Sequence, residues 1–173
     1  VGDNAHATFY ASGVLQAIET TDSDFGANDT INAGTGADVV LGGSGADVID
    51  SGSIVAGDIS RDVVIGDNGH AEFDAAGFLL AIATSVPGTG GDDTILIGGG
   101  DNVAFGGVGN DTIIAGDGRD IIAGDNGRAA FDPISRALVE IRTTSPESAG
   151  LDVISATNGN NVLFGGTAVD NIT

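Results

Sequence analysis

Cysteine, methionine, tryptophan and lysine are all absent from this chain of 173 residues. Without cysteine there is no disulfide, no thiolate metal site and no cysteine nucleophile. That absence suits a protein exported unfolded. Lys+Arg is 5 against Asp+Glu 25, a net charge of −20. So few cations exclude nucleic acid as a partner, because phosphates need Lys and Arg. They also argue against anionic membrane surfaces. No apolar run approaches a membrane span, and Val1-Gly2-Asp3-Asn4 does not begin a signal peptide. Four of the acids are glutamate (Glu19, Glu72, Glu140, Glu147) and the rest aspartate. Aspartate and the 30 glycines are poor helix formers at home in turns, so no long helix is expected. Such charge usually signals disorder. Yet 41% of the residues are hydrophobic, with Val, Ile, Leu and Phe at regular spacing. The combination predicts a folded β protein whose acids are partly neutralised by cations; without cations they repel one another.

What is present is a period of nine. Gly42-Gly43-Ser44-Gly45-Ala46-Asp47-Val48-Ile49-Asp50 and Gly106-Gly107-Val108-Gly109-Asn110-Asp111-Thr112-Ile113-Ile114 share one pattern. Ala115-Gly116-Asp117-Gly118-Arg119-Asp120-Ile121-Ile122-Ala123 lacks only its first glycine. With aspartate as anchor the series run Asp29, Asp38, Asp47; Asp93, Asn102, Asp111, Asp120; and Asp152, Asn161, Asp170. Two residues after each anchor sits an apolar side chain: Ile31, Val40, Ile49; Ile95, Ala104, Ile113, Ile122; Ile154, Leu163, Ile172. Asp62 with Val64 extends the first series after an irregular insert, Ser51 to Ser60. Each repeat predicts a short strand and a tight glycine turn.

A longer period encloses the first. Gly-Asp-Asn begins at Gly2, Gly66 and Gly124, each time followed by Ala-x-Phe (Ala7 to Phe9, Ala71 to Phe73, Ala129 to Phe131). A turn and an apolar return follow (Leu15 and Ile18, Leu79 and Ile82, Leu138 and Ile141), predicting strand–turn–strand arms. The third arm has one extra turn residue. Three units are expected, 1–65, 66–123 and an incomplete 124–173, in one continuous solenoid. The Gly-Asp-Asn segment is itself a degenerate nonapeptide, which puts Phe9, Phe73 and Phe131 in the core. One unit then holds five nonapeptide-like strands plus the return strand, wound as two- or three-stranded coils. The chain starts and stops mid-pattern, which predicts a piece of a longer polypeptide.

Stacked coils place successive aspartates in rows about 4.8 Å apart. Carboxylates that close raise one another's pKa, and a hard divalent cation relieves them. Calcium suits the site, taking 6–8 oxygens, backbone carbonyls included, whereas magnesium demands stricter geometry. Zinc would want His or Cys. Only His6 and His70 exist, at a place where the third unit has Arg128, so they are expected at exposed strand positions. The candidate ligands are Asp29, Gly34, Gly36, Asp38, Gly43, Gly45, Asp47, Asp62, Asp93, Asn102, Gly107, Gly109, Asp111, Gly116, Gly118, Asp120, Asp152 and Asp170. Asn102 and Asn161 keep an oxygen but lose the charge. Asp3, Asp67 and Asp125 sit off the anchor, as extra ligands or turn formers.

These nonapeptides resemble the hemolysin-type calcium-binding repeats of the repeats-in-toxin superfamily. The longer unit with its arm resembles repeats of very large secreted bacterial proteins. The resemblance implies an all-β fold, a calcium-loaded parallel β-roll or β-solenoid with inserted arms. It also implies several calcium ions, type I secretion and folding outside the cell. The expected function is a structural segment of a large extracellular adhesin, surface layer or fibre, stacked end to end with further repeats or copies. An ice- or glycan-binding solenoid face is the alternative. A polysaccharide lyase or epimerase is less favoured: the five arginines are scattered in sequence, and no catalytic cluster stands outside the repeat. No catalysis is expected.

Overall fold

A computed structural model describes residues 1–52 and 57–173; the middle of the insert expected at Ser51 to Ser60 lies outside the described residues. The fold is all-β. Among the described residues the one helix is a 3-10 turn, Pro146–Ser148. Strands follow the repeats. The first unit carries β1 (Ala5–Phe9), β2 (Leu15–Thr20), β3 (Thr30–Asn32), β4 (Val39–Leu41), β5 (Val48–Ser51) and β6 (Val63–Ile65). Then come β7 (Gly69–Phe73), β8 (Leu79–Thr84), β9 (Thr94–Ile97), β10 (Val103–Gly107), β11 (Thr112–Ala115) and β12 (Ile121–Asp125), the last running past the expected boundary at residue 123. The third carries β13 (Gly127–Phe131), β14 (Leu138–Thr143), β15 (Val153–Ala156), β16 (Val162–Phe164) and β17 (Asn171–Ile172).

Three sheets result. Nonapeptide strands alternate between two parallel sheets, β3-β5-β9-β11-β15-β17 and β4-β6-β10-β12-β16. The arms form a third, antiparallel sheet, β1-β2-β7-β8-β13-β14. The coil question left open by the sequence is answered here: each turn of the winding has two strands. The expectation of five nonapeptide strands per unit is corrected. The Gly-Asp-Asn strand leaves the winding and pairs with its return strand as a hairpin, Ala71 opposite Ile82 and Phe73 opposite Leu79.

Register explains the spacing of the apolar residues. Val40, Val64, Ala104, Ile122 and Leu163 pair in one row of the five-stranded sheet. Ile31, Ile49, Ile95, Ile113, Ile154 and Ile172 pair in one row of the six-stranded parallel sheet. Apart from Ile172, 43% exposed at the end of its row, the two rows face each other as one core. The five-stranded sheet is buried on its other face too, where Leu41, Val63, Ile65, Val103, Phe105, Ile121 and Ala123 pack under the hairpins. Its strands therefore read as unbroken apolar runs (Val-Val-Leu, Val-Val-Ile, Ile-Ile-Ala), the signature of burial on both sides. The outer parallel sheet alternates, as in Thr94-Ile95 and Thr112-Ile113. In the hairpin sheet Ala7, Ile18, Ala71, Ile82, Ala129 and Ile141 pair across six strands. Small and large residues thus alternate and interdigitate with the layer below. Phe73 and Phe131 belong to this second core, not to the core of the winding. Phe9, expected beside them, is 59% exposed, because it lies on the edge hairpin with no neighbouring hairpin beyond it.

Candidate metal centres

Every anchor precedes a strand, so the winding sorts the anchors into two rows, one at the turns entering each parallel sheet. In the first row, Asp29 N–H donates to Asp47 Oδ1 at 2.7 Å, Asp47 N–H to Asp93 Oδ1 at 2.7 Å, and Asp93 N–H to Asp111 Oδ1 at 2.8 Å. Asp111 N–H then reaches Asp152 Oδ1 at 2.9 Å and Asp152 N–H reaches Asp170 Oδ1 at 3.1 Å. In the second row, Asp38 N–H donates to Asp62 Oδ1 and Asp62 N–H to Asn102 Oδ1. Asn102 N–H donates to Asp120 Oδ1 and Asp120 N–H to Asn161 Oδ1. One side-chain oxygen per rung, from a carboxylate or at Asn102 and Asn161 an amide, thus stitches it to the rung before.

The other oxygen has no such partner. Oδ2 of Asp38, Asp47, Asp62, Asp93, Asp111, Asp120 and Asp152 is buried without a hydrogen bond. At Asp62 the Ser51 hydroxyl sits near enough to lower the carboxyl's pKa, but burial outweighs it. A buried, unpaired anionic oxygen is costly unless a cation neutralises it. Burial pushes Asp47, Asp62 and Asp152 up to about 6, Asp93 to about 8 and Asp111 to about 9. Neighbouring aspartates of the same row push Asp47, Asp93 and Asp111 further in that direction.

Backbone shape prepares the same place. A Cβ on Gly42 would collide with Asp47 Oδ2 and with the Gly66 carbonyl oxygen on the next rung. A Cβ on Gly106 would collide likewise with Asp111 Oδ2 and the Gly124 carbonyl. The first glycine of the repeat therefore leaves room where one carboxylate oxygen and one carbonyl oxygen approach each other. Of the candidate turn glycines, all but Gly116 have positive φ, the left-handed backbone that bends the chain between sheets. Among the described residues no three acidic or histidine side chains converge on one point. A hard cation such as calcium would be held here by the carboxylate oxygens of the rungs with carbonyl oxygens of the turns, and would supply charge neutralisation. The donor set fits calcium.

Asparagine anchors fill their turns with a side-chain amide. Asn102 Nδ2 donates to the Gly98 and Gly100 carbonyls at 3.1 and 3.2 Å. Asn161 Nδ2 donates to the Thr157 carbonyl. At these rungs the amide satisfies the turn's oxygens itself. The row into the five-stranded sheet is thus interrupted twice, whereas the row from Asp29 to Asp170 is all carboxylate.

Asp67 and Asp125 differ from the anchors. Asp67 Oδ1 accepts Gly91 N–H and Oδ2 accepts Val108 N–H. Asp125 Oδ1 accepts Gly150 N–H and Oδ2 accepts Thr167 N–H. Asp3 Oδ2 accepts Ser44 N–H. Gly66 occupies the place of Gly42, and the hairpin enters directly after Asp67. These carboxylates clamp the mouth of the hairpin insertion to the following glycine turn. His6 is exposed and His70 half-buried on the hairpin sheet, paired through Glu19, with His6 Nδ1 at 3.4 Å from Glu19 Oε1.

Sequence reasoning missed two things. The residue just before an anchor forms its own ladder: Asn28 Oδ1 accepts Ala46 N–H, Asp92 Oδ1 accepts Asn110 N–H, and Asn110 Oδ1 accepts Leu151 N–H. The repeated Asn/Asp at that position was its signal. Asp58, inside the insert, accepts Gly36 N–H and Ser60 N–H, and nothing in the period marks it.

A family model described as the RTX calcium-binding nonapeptide repeat (four copies) matches residues 25–53, 96–128 and 148–173, just over half of the chain. No match was found among curated proteins or among solved structures. The matched segments hold Asp29, Asp38, Asp47, Asn102, Asp111, Asp120, Asp152 and Asp170 with their turn glycines, and the chain belongs to the family of RTX calcium-binding nonapeptide repeats.

Proposed function

We propose that this chain is a calcium-stiffened parallel β-roll, a structural segment of a large extracellular adhesin, surface-layer or fibre protein. The orphaned Oδ2 atoms carry the reading: seven buried carboxylate oxygens in two rows, all but that of Asp62 following a glycine turn, call for a cation. Asp47, Asp93, Asp111 and Asp152 hold calcium between rungs, with Asp29 and Asp170 at the two ends of their row. Asp38, Asp62 and Asp120 hold it in the other row, joined at Asp120 by the carbonyls of Gly116 and Gly118, the counterparts of Gly98 and Gly100. Asn102 contributes least, since its amide already occupies the turn. The ion supplies charge neutralisation and cross-linking; no catalysis is assigned.

Calcium is scarce inside cells and plentiful outside, so binding energy becomes folding energy after export. The units 1–65, 66–123 and 124–173 repeat this design and stack with further repeats or copies. The test is far-UV circular dichroism during a calcium titration, then chelation. β signal should appear with calcium and vanish with chelator. The same β spectrum in both states would overturn the proposal.

A further inference from the structure

The chain has five arginines and no lysine. Scattered in sequence, three of them meet in one place. Arg61 and Arg119 stand two rungs apart along the turns into the five-stranded sheet, with Asp101 on the rung between. Arg136 comes from the tip of the third hairpin. All three line a shallow open groove of roughly 770 Å³ between those turns and the hairpin tips. The Arg61 guanidinium lies over the Phe78 ring at 5.3 Å and the Phe131 ring at 5.8 Å, and Arg136 lies over Phe78 at 4.7 Å. Arg61 Nε donates to the Asp101 carbonyl at 2.7 Å. Arg136 is held there at φ 62, a left-handed conformation that a non-glycine residue adopts at a cost.

We propose that this groove binds an acidic polysaccharide, a chain of uronate sugars laid along the stack. Like charges brought together on fixed aromatic supports, in a molecule otherwise anionic, make a site for an anion. Guanidinium groups stacked on rings have lost freedom already and present N–H forks suited to carboxylates. Asp101 and Asp117 line the same groove; Asp101 Oδ2 stands 4.0 Å from Arg119 Nη2, and Asp117 Oδ1 accepts from Thr157 and Asn158, which leaves Asp117 Oδ2 to accept a sugar hydroxyl. A uronate carries both a carboxylate for the forks and hydroxyls for Asp117; an acidic peptide side chain carries only the first. Two smaller, mainly apolar hollows flank it, one sharing Arg61 and Phe78 and reaching Val14, the other sharing Arg119 and Ala137 and reaching Val162. An extended polymer fits such a row of hollows better than a compact ligand. The proposal goes beyond the structural reading and shares its calcium-loaded stack, in which bound cations offset the −20 charge that would repel a polyanion.

Isothermal titration calorimetry in saturating calcium tests it, with a short oligoglucuronate as probe. A neutral cello-oligosaccharide and an oligo-aspartate peptide serve as comparisons. Oligoglucuronate should bind, more weakly as salt rises. Arg119→Gln and Arg136→Gln, both at exposed positions, should each weaken binding about tenfold, the loss of one charge-assisted contact. Arg61→Gln should abolish it; because Arg61 also packs on two rings, its calcium-dependent dichroism is checked alongside. No heat with oligoglucuronate, equal binding by all three variants, or tighter binding of oligo-aspartate would each overturn the proposal. Failure of the structural reading looks different: the spectrum ignores calcium while the sugar titration still gives its own answer.

Discussion

Asp111→Asn isolates the metal contribution at one rung. Asp111 sits mid-row: its Oδ1 accepts Asp93 N–H and its Oδ2 is orphaned beside the Gly106 turn. Asparagine keeps the Oδ1 acceptor and, as at Asn102, turns an N–H₂ toward the turn oxygens. The stitch to Asp93 survives and the charge goes. At free calcium a hundredfold above Kd, one bound ion stabilises the fold by about 2.7 kcal/mol. The variant should lose about that much in calcium and bind one ion fewer. Without calcium the sign reverses. The native carboxyl, pushed to about 9 by burial, strains the metal-free fold at neutral pH, so the variant should be more stable there than the native chain. Asp111→Ala also strands the Asp93 N–H, at a further cost of about 1–3 kcal/mol, and should be worse in both states. The assay is urea unfolding with and without calcium, with ions counted by native mass spectrometry. Equal stability in calcium and an unchanged ion count for Asp111→Asn would refute the reasoning.

Three other outcomes follow from the same geometry. Asn102→Asp restores the charge in the interrupted row and should raise the ion count by one, read by native mass spectrometry. Gly106→Ala drives a Cβ into Asp111 Oδ2 and the Gly124 backbone, so it should block calcium-induced folding; Gly34→Ala meets open space and should cost only about 1–2 kcal/mol, its φ of +94 being the sole strain, by calcium-titrated circular dichroism. For pH, the raised carboxyls (about 6 for Asp47, Asp62 and Asp152, about 8 for Asp93, about 9 for Asp111) stabilise the metal-free fold fully below their unfolded value of 3.8. That stability is lost as pH rises through 6 to 9, so chelated protein should gain β signal on acidification, while the calcium midpoint should rise because protons compete for the same oxygens.

The period of nine made most of the winding legible. The anchor fixes where each strand begins, and the apolar residue two places on is the row that faces the partner sheet. Asp62 keeps its place in the row across the insert, and Val64 keeps the phase. What the period could not convey was a third layer. Phe73 looked like one more core residue of the winding, since Ala-x-Phe falls in phase with the nonapeptides. The cue lay in Val63-Val64-Ile65 and Ile121-Ile122-Ala123, whose unbroken apolarity demands cover on both faces, while Thr94-Ile95 demands it on one. Likewise Asp67 and the anchors are all aspartates on glycine turns. Only the partners distinguish them: two amides for Asp67, one amide and a void of donors for Asp111. The arginine groove was hidden because Arg136 sits on a hairpin tip outside the period of nine; Arg61 and Arg119 share one phase, each just before an anchor, but only the stacking of winding against hairpin tips brings Arg136 to them.

The most direct measurement is anomalous diffraction from crystals grown in calcium. The account predicts peaks within about 2.3–2.6 Å of Oδ2 of Asp47, Asp93, Asp111 and Asp152, with none at Asn102. Folded protein with no anomalous density at those four oxygens would contradict it.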